Sequence, residues 1–140
     1  LAGSPGKVTG GLHVTPCGGY IVYPLGSVVV VRALKGGYQA FLEGHSHNVS
    51  CVAMSRDGRF LATGQMNHAG VKADVIVWDL PAAVRSAEAG VFNAEGVLSH
   101  RLRQHMGGVQ ALDFSYDGRY LATLGGQDDN SIVVWDVAAG

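Results

Sequence analysis

Ser55-Arg-Asp-Gly-Arg-Phe-Leu-Ala-Thr63 returns downstream as Ser115-Tyr-Asp-Gly-Arg-Tyr-Leu-Ala-Thr123. Each nonapeptide is followed by a β-branched run, Val75-Ile-Val-Trp-Asp79 and Ile132-Val-Val-Trp-Asp136. The same turn and strand signals in the same order make this a repeat protein, and a repeat outranks any local signal in deciding a fold. Asp-Gly supplies the hairpin turn in both copies, because glycine accepts the positive φ that such turns require. A degenerate third copy lies upstream. Thr15-Pro-Cys-Gly-Gly-Tyr-Ile-Val-Tyr23 aligns with the nonapeptides and residues 28–31 with the later strand, while Arg32-Ala33 stands where Trp-Asp would be. Terminal copies of repeat arrays are often atypical in this way.

Turn residues divide each copy into short strands. Residues 49–55, 60–64 and 75–80 are predicted as strands a, b and c of the middle copy. The last of these is a continuous apolar run, as expected when both faces are buried. Residues 109–115, 120–124 and 132–137 repeat the series. A weaker strand d is predicted at 38–42 in the first copy and at 97–103 in the second. Helix has little place outside residues 81–96, an insert between strands c and d whose Ala and Glu favour one short helix.

Gly44-His45 opens the middle copy and Trp78-Asp79 closes its strand c; Gln104-His105 and Trp135-Asp136 do the same in the last. These pairs, in register with the Asp-Gly turns, resemble the WD-repeat family over residues 8–140. The resemblance implies an all-β fold, a WD-repeat β-propeller, of which residues 1–140 hold an incomplete portion of about three four-stranded blades. The degenerate blade is placed at 8–43, the second at 44–103 with the insert 81–96, and the third at 104–140 without strand d. Propellers use about four to eight blades around a channel, so the polypeptide is expected to continue past Gly140. The N-terminus lacks both an initiator Met and a signal-peptide pattern, and is expected to be a cut through a longer chain.

In that family a His, a Ser or Thr, an Asp and the strand-c Trp form a buried hydrogen-bonded tetrad. Carried over, the last blade supplies His105, Thr123, Asp129 and Trp135. The middle blade supplies His45, Thr63 and Trp78, but Lys72 occupies the position of Asp129 and Asp74 lies two residues out of register. That network is therefore expected to be incomplete or rearranged, and Trp135 to be the more costly tryptophan to remove. Such a network satisfies an indole N–H and an imidazole that are expensive to bury unpaired.

No catalytic role is expected of these residues. A His, an Asp and a Thr also compose a nucleophilic triad, but a triad is defined by geometry, and the resemblance assigns them to a structural network. His45 and His47 lack a third ligand at a metal-site spacing, so no metal is expected. Neither a phosphate-binding loop nor a dinucleotide fingerprint is present, and no cofactor or small-molecule substrate is expected. Formal net charge is −1 and charged residues make up 15% of the chain, which disfavours nucleic acid as a partner. The nearest approach to a basic cluster, Arg101, Arg103 and His105, alternates along one predicted strand as a solvated face would. No apolar run approaches the roughly 20 residues of a membrane helix, so no membrane partner is expected. Cys17 and Cys51 form neither a C-x-x-C pair nor a zinc pattern, which fits an intracellular compartment.

Pro24-Leu-Gly26, His47-Asn-Val-Ser-Cys51, Gly70-Val-Lys-Ala-Asp-Val-Ile-Val-Trp-Asp79 and Leu124-Gly-Gly-Gln-Asp-Asp129 resemble the N-terminal propeller of a cilia- and flagella-associated family of WD-repeat proteins. That resemblance implies a non-catalytic scaffold of the cytoskeleton. It would be a microtubule inner protein, with tubulin and other microtubule inner proteins as partners, on the luminal wall of axonemal doublets in the cilium or flagellum. The alternative is a WD-repeat adaptor of a non-ciliary complex, such as a ubiquitin-ligase or signalling assembly. Candidate partner contacts are Val91 and Phe92 in the insert, an apolar tip suited to a partner pocket, and His68 and Lys72 in the b–c loop.

Overall fold

The computed structural model describes residues 12–16, 18–66, 72–90, 98–125 and 131–137. Each copy of the repeat becomes one antiparallel sheet. The first sheet runs β1 (His13–Val14), β2 (Tyr20–Leu25), β3 (Val28–Ala33) and β4 (Gln39–Leu42) in sequence order. The second is β5 (Val49–Met54), β6 (Phe60–Gln65), β7 (Lys72–Asp79) and β8 (Leu98–Met106). The third comprises β9 (Val109–Phe114), β10 (Tyr120–Gly125) and β11 (Ile132–Asp136). Strands a to d of the sequence thus fall where the turns place them, with ends shifted by a few residues. The largest shifts are in β7, which starts at Lys72, and β8, which ends at Met106. These two ends pair with each other, Lys72 opposite Met106, so each extends the other.

One turn is built three times. Thr15, Ser55 and Ser115 each accept a bond from a glycine N–H three residues on, at 2.8, 3.0 and 2.9 Å, and each donates its own N–H to the carbonyl five residues on, that of Tyr20, Phe60 or Tyr120. Their side-chain oxygens accept the N–H groups of the same Tyr20, Phe60 and Tyr120. Gly18, Gly58 and Gly118 hold φ between 74° and 75°, where an L side chain is strained. The degenerate copy therefore uses the same turn as the two plain ones, although it lacks Asp. In those two, Asp57 and Asp117 also accept the serine hydroxyl and an arginine N–H. These bonds hold both carboxyls below the usual carboxylate range.

The sheets pack face to face through two apolar layers. Val22, Val29, Val31 and Leu42 of the first sheet meet Val52, Leu61, Ile76 and Trp78 of the second. On the opposite face of the second sheet Cys51, Ala62, Val75 and Val77 meet Val109 and Leu121 of the third. Strand parity explains the two-sided burial, since alternate residues of β7 point to opposite faces and both are covered. The far face of the third sheet leaves Ile132 72% and Val134 63% exposed.

The insert begins as a helix, α1 (Leu80–Ala89). Asp79, the second letter of the Trp-Asp pair, caps it by accepting the Ala82 N–H at 3.1 Å. Pro follows at the first turn and Gly90 closes the other end in the left-handed conformation. Leu80, Ala83 and Ala87 lie on one side and join the layer between the first two sheets. The helix touches β3 and β4 as well as β6 and β7, so it bridges two sheets. Val91 and Phe92, the proposed partner tip, lie outside the described residues, as does His68.

Candidate functional site

The middle blade carries a closed hydrogen-bonded chain that ends on a residue the sequence pattern did not mark. Thr63 lies opposite Ile76 in the register of β6 and β7, on the face that carries Trp78. The Trp78 indole N–H donates to Thr63 Oγ1 at 2.9 Å. Thr63 Oγ1 lies 2.6 Å from His45 Nε2, and His45 Nδ1 lies 2.7 Å from Gln65 Oε1. An amide oxygen only accepts, so Nδ1 carries the proton, Nε2 is the acceptor, and the Thr63 hydroxyl donates to it. Gln65 Nε2 in turn donates to Ser46 Oγ at 3.1 Å. Burial lowers the His45 pKa to about 4, against a smaller opposing effect of the Gln65 hydrogen bond. The imidazole is neutral near pH 7, as this bonding pattern requires.

The expected rearrangement thus has a specific form. Gln65, two residues past Thr63 and on its face, takes the place assigned to a b–c turn carboxylate. Lys72 is the exposed first residue of β7.

In the last blade the structure brings together His105, Thr123 and Trp135. His105 Nε2 is 2.6 Å from Thr123 Oγ1, which also accepts the Trp135 indole N–H at 3.1 Å. His105 Nδ1 lies 3.2 Å from Ser131 Oγ. Asp129 lies outside the described residues. Trp135 is half-buried, in contrast to Trp78, which is 1% exposed.

Of Arg101, Arg103 and His105, whose alternation predicts one solvated face, only the two arginines are exposed. His105 is fully buried, and both arginines bind the carboxylate of Asp74, itself buried within β7. A register shift between Ala73 and Asp74 separates the two behaviours: Asp74 opposes Arg103 while Ala73 opposes His105. The extra residue turns His105 to the face shared with the third sheet and leaves the arginines on the face of Trp78. Arg103 Nε meets Asp74 Oδ1 at 2.5 Å and its Nη2 meets Oδ2 at 3.1 Å, a side-on pair. Arg101 Nη1 reaches Asp74 Oδ2 and also the Gly44 carbonyl at 3.0 Å. Burial pushes the Asp74 carboxyl up, but the bonds and charges of Arg103 and Arg101 outweigh it and hold the group below the usual range.

Among the described residues no three His, Cys, Asp or Glu side chains converge as metal ligands do. His47 instead pairs with Ser46 Oγ at 3.1 Å. Burial raises the thiol of Cys51 to about 11, so it stays protonated between the second and third sheets.

A family model described as WD domain, G-beta repeat matches residues 36–79 and 96–136. Cilia- and flagella-associated protein 52 of Chlamydomonas reinhardtii is 48% identical over 141 residues, covering 100% of this chain and 21% of that protein. The Homo sapiens protein of the same name is 43% identical over 138 residues, covering 99% of the chain and 20% of its own length. Centriole proteome protein 16 of Chlamydomonas reinhardtii is 34% identical over 152 residues, covering 87% of the chain and 7% of that protein. The chain thus spans about a fifth of the length of the first two relatives.

Proposed function

We propose, since the chain belongs to the WD40 repeat family, that it forms part of a non-catalytic propeller scaffold in the cilium or flagellum. There it binds the luminal wall of doublet microtubules as a microtubule inner protein, with tubulin and neighbouring inner proteins as partners. The observation that carries the ciliary location is identity of 43 to 48% along essentially the whole chain to proteins named for cilia and flagella. The luminal role follows from the resemblance of Lys72-Ala-Asp74 and its flanking strand to that group. The described networks suit a scaffold: polar side chains are spent on one another inside and between the sheets, which fixes strand positions and leaves binding to loops and outer edges.

The two departures from a minimal repeat are candidate contacts. The first half of the insert is α1, whose apolar side is committed to the fold, so a contact there belongs to its second half, where Val91 and Phe92 lie in the sequence. Lys72, the first residue of β7, with His68 in the sequence just before it, marks the other. Retention of the full-length protein on salt-washed doublet microtubules tests the proposal. Parent protein is expected in the pellet, with Phe92→Ser and Lys72→Glu each weakening retention without lowering the melting temperature. Parent protein that stays in the supernatant would favour the non-ciliary adaptor.

A further inference from the structure

We propose that Arg101 and Arg103, set side by side by the buried carboxylate of Asp74, form a clamp for a carboxylate-rich segment of a protein partner. The clamp lies on β8, the outermost strand of the second sheet. One carboxylate faces two guanidinium groups there, so the cluster carries a net positive charge. Asp74 is 3% exposed whereas Arg101 and Arg103 are 36% and 58% exposed, so the anchor is inside and the cations reach outward.

The geometry leaves donors unused. Side-on pairing consumes Nε and Nη2 of Arg103, and its Nη1 meets no acceptor among the described residues. Arg101 is held by two fixed acceptors, Asp74 and the Gly44 carbonyl, in the connection from β4 to β5. Both side chains therefore lose their rotamer freedom before any partner arrives, which removes much of the entropic cost of binding. An ion pair with one exposed partner adds little stability in itself, so orientation is the larger consequence of this arrangement. The cluster's one excess positive charge attracts an anion, and each side chain of a carboxylate-rich segment can supply one. Carboxylate also matches the planar fork of arginine.

The test uses the full-length protein and a fluorescein-labelled decaglutamate peptide, read by fluorescence polarisation. The parent is expected to bind, and Arg103→Ala to weaken binding by about tenfold, the loss of one charge-assisted contact. Arg103→Lys keeps the charge but not the fork and is expected to bind several-fold more weakly. Asp74→Asn raises net charge by one yet frees both arginines, and it too is expected to bind more weakly. Tighter binding by Asp74→Asn together with parental binding by Arg103→Lys would show a general positive field and overturn the clamp; so would a parent that ignores the peptide. Melting curves accompany each variant, and if Asp74→Asn does not fold, Arg103→Lys decides. The clamp does not depend on the ciliary assignment. Peptide binding without retention on doublets removes the assignment and leaves the clamp, and the reverse removes only the clamp.

Discussion

Trp78 and Thr63 are coupled through one hydrogen bond, and a double-mutant cycle measures it. Trp78→Ala alone is expected to cost about 3 to 5 kcal/mol, since a fully buried indole leaves both lost transfer energy and a cavity. Trp78→Phe is gentler. It keeps an aromatic ring and removes the N–H, while Thr63 retains His45 as a partner, so the cost falls to roughly 1 to 2 kcal/mol. Thr63→Val is nearly isosteric but strands two groups, the Trp78 N–H and His45 Nε2. Each buried orphan costs roughly 1 to 3 kcal/mol, so this change, which leaves two, is expected to cost about 2 to 6. In the Phe background the first of those orphans no longer exists. Thr63→Val should then cost about 1 to 3 kcal/mol less than it does beside Trp78, well outside the roughly 0.3 to 0.5 kcal/mol within which independent sites add. Urea titration of the full-length protein, followed by far-UV circular dichroism, gives all four values. Additivity of the two changes would refute the hydrogen-bond chain as drawn.

In the 140-residue chain, against the order expected from the tetrad pattern, Trp135→Ala should cost less than Trp78→Ala, because Trp135 is half-buried and Trp78 is enclosed; the reverse order in urea titration would contradict the burial described. Stability should fall as pH drops from about 6.5 toward 4, because His45 stays neutral in the fold while the unfolded chain takes up a proton. The loss approaches about 3 kcal/mol from this group, and His45→Gln should flatten the slope in that window. Asp79→Ala removes the cap of α1 and should cost about 1 kcal/mol, seen as faster amide exchange in residues 80–89 while exchange in β10 is unchanged.

The turns were legible because their bonds are local. A Ser or Thr, a Gly three residues on and an aromatic five residues on compose a closed unit that no distant contact alters. The strands followed from the same punctuation, and the helix from the Ala and Glu content of the insert. Gln65 was missed because the family pattern directs attention to a turn carboxylate. The available signal was parity, since Gln65 is two residues beyond Thr63 and must share its face. The equivalent of Gln65 in the last blade is Gly125, which has no side-chain acceptor, and there Ser131 approaches the histidine instead. His105 was misplaced for a non-local reason. Strict alternation assigns residues 101, 103 and 105 to one face, and only the bulge opposite Ala73 and Asp74 divides them. An aspartate inside an apolar strand was the visible warning, because a buried carboxylate needs partners.

The most direct test of the central claim is a cryo-electron microscopy map of doublet microtubules from cells carrying the full-length protein, compared with doublets from cells lacking it. The account predicts a ring of blade-shaped density on the luminal wall that is present in the first map and missing from the second, with its second blade identifiable by the helix between strands c and d. Identical luminal density in the two maps, with the protein recovered from the soluble fraction, would contradict it.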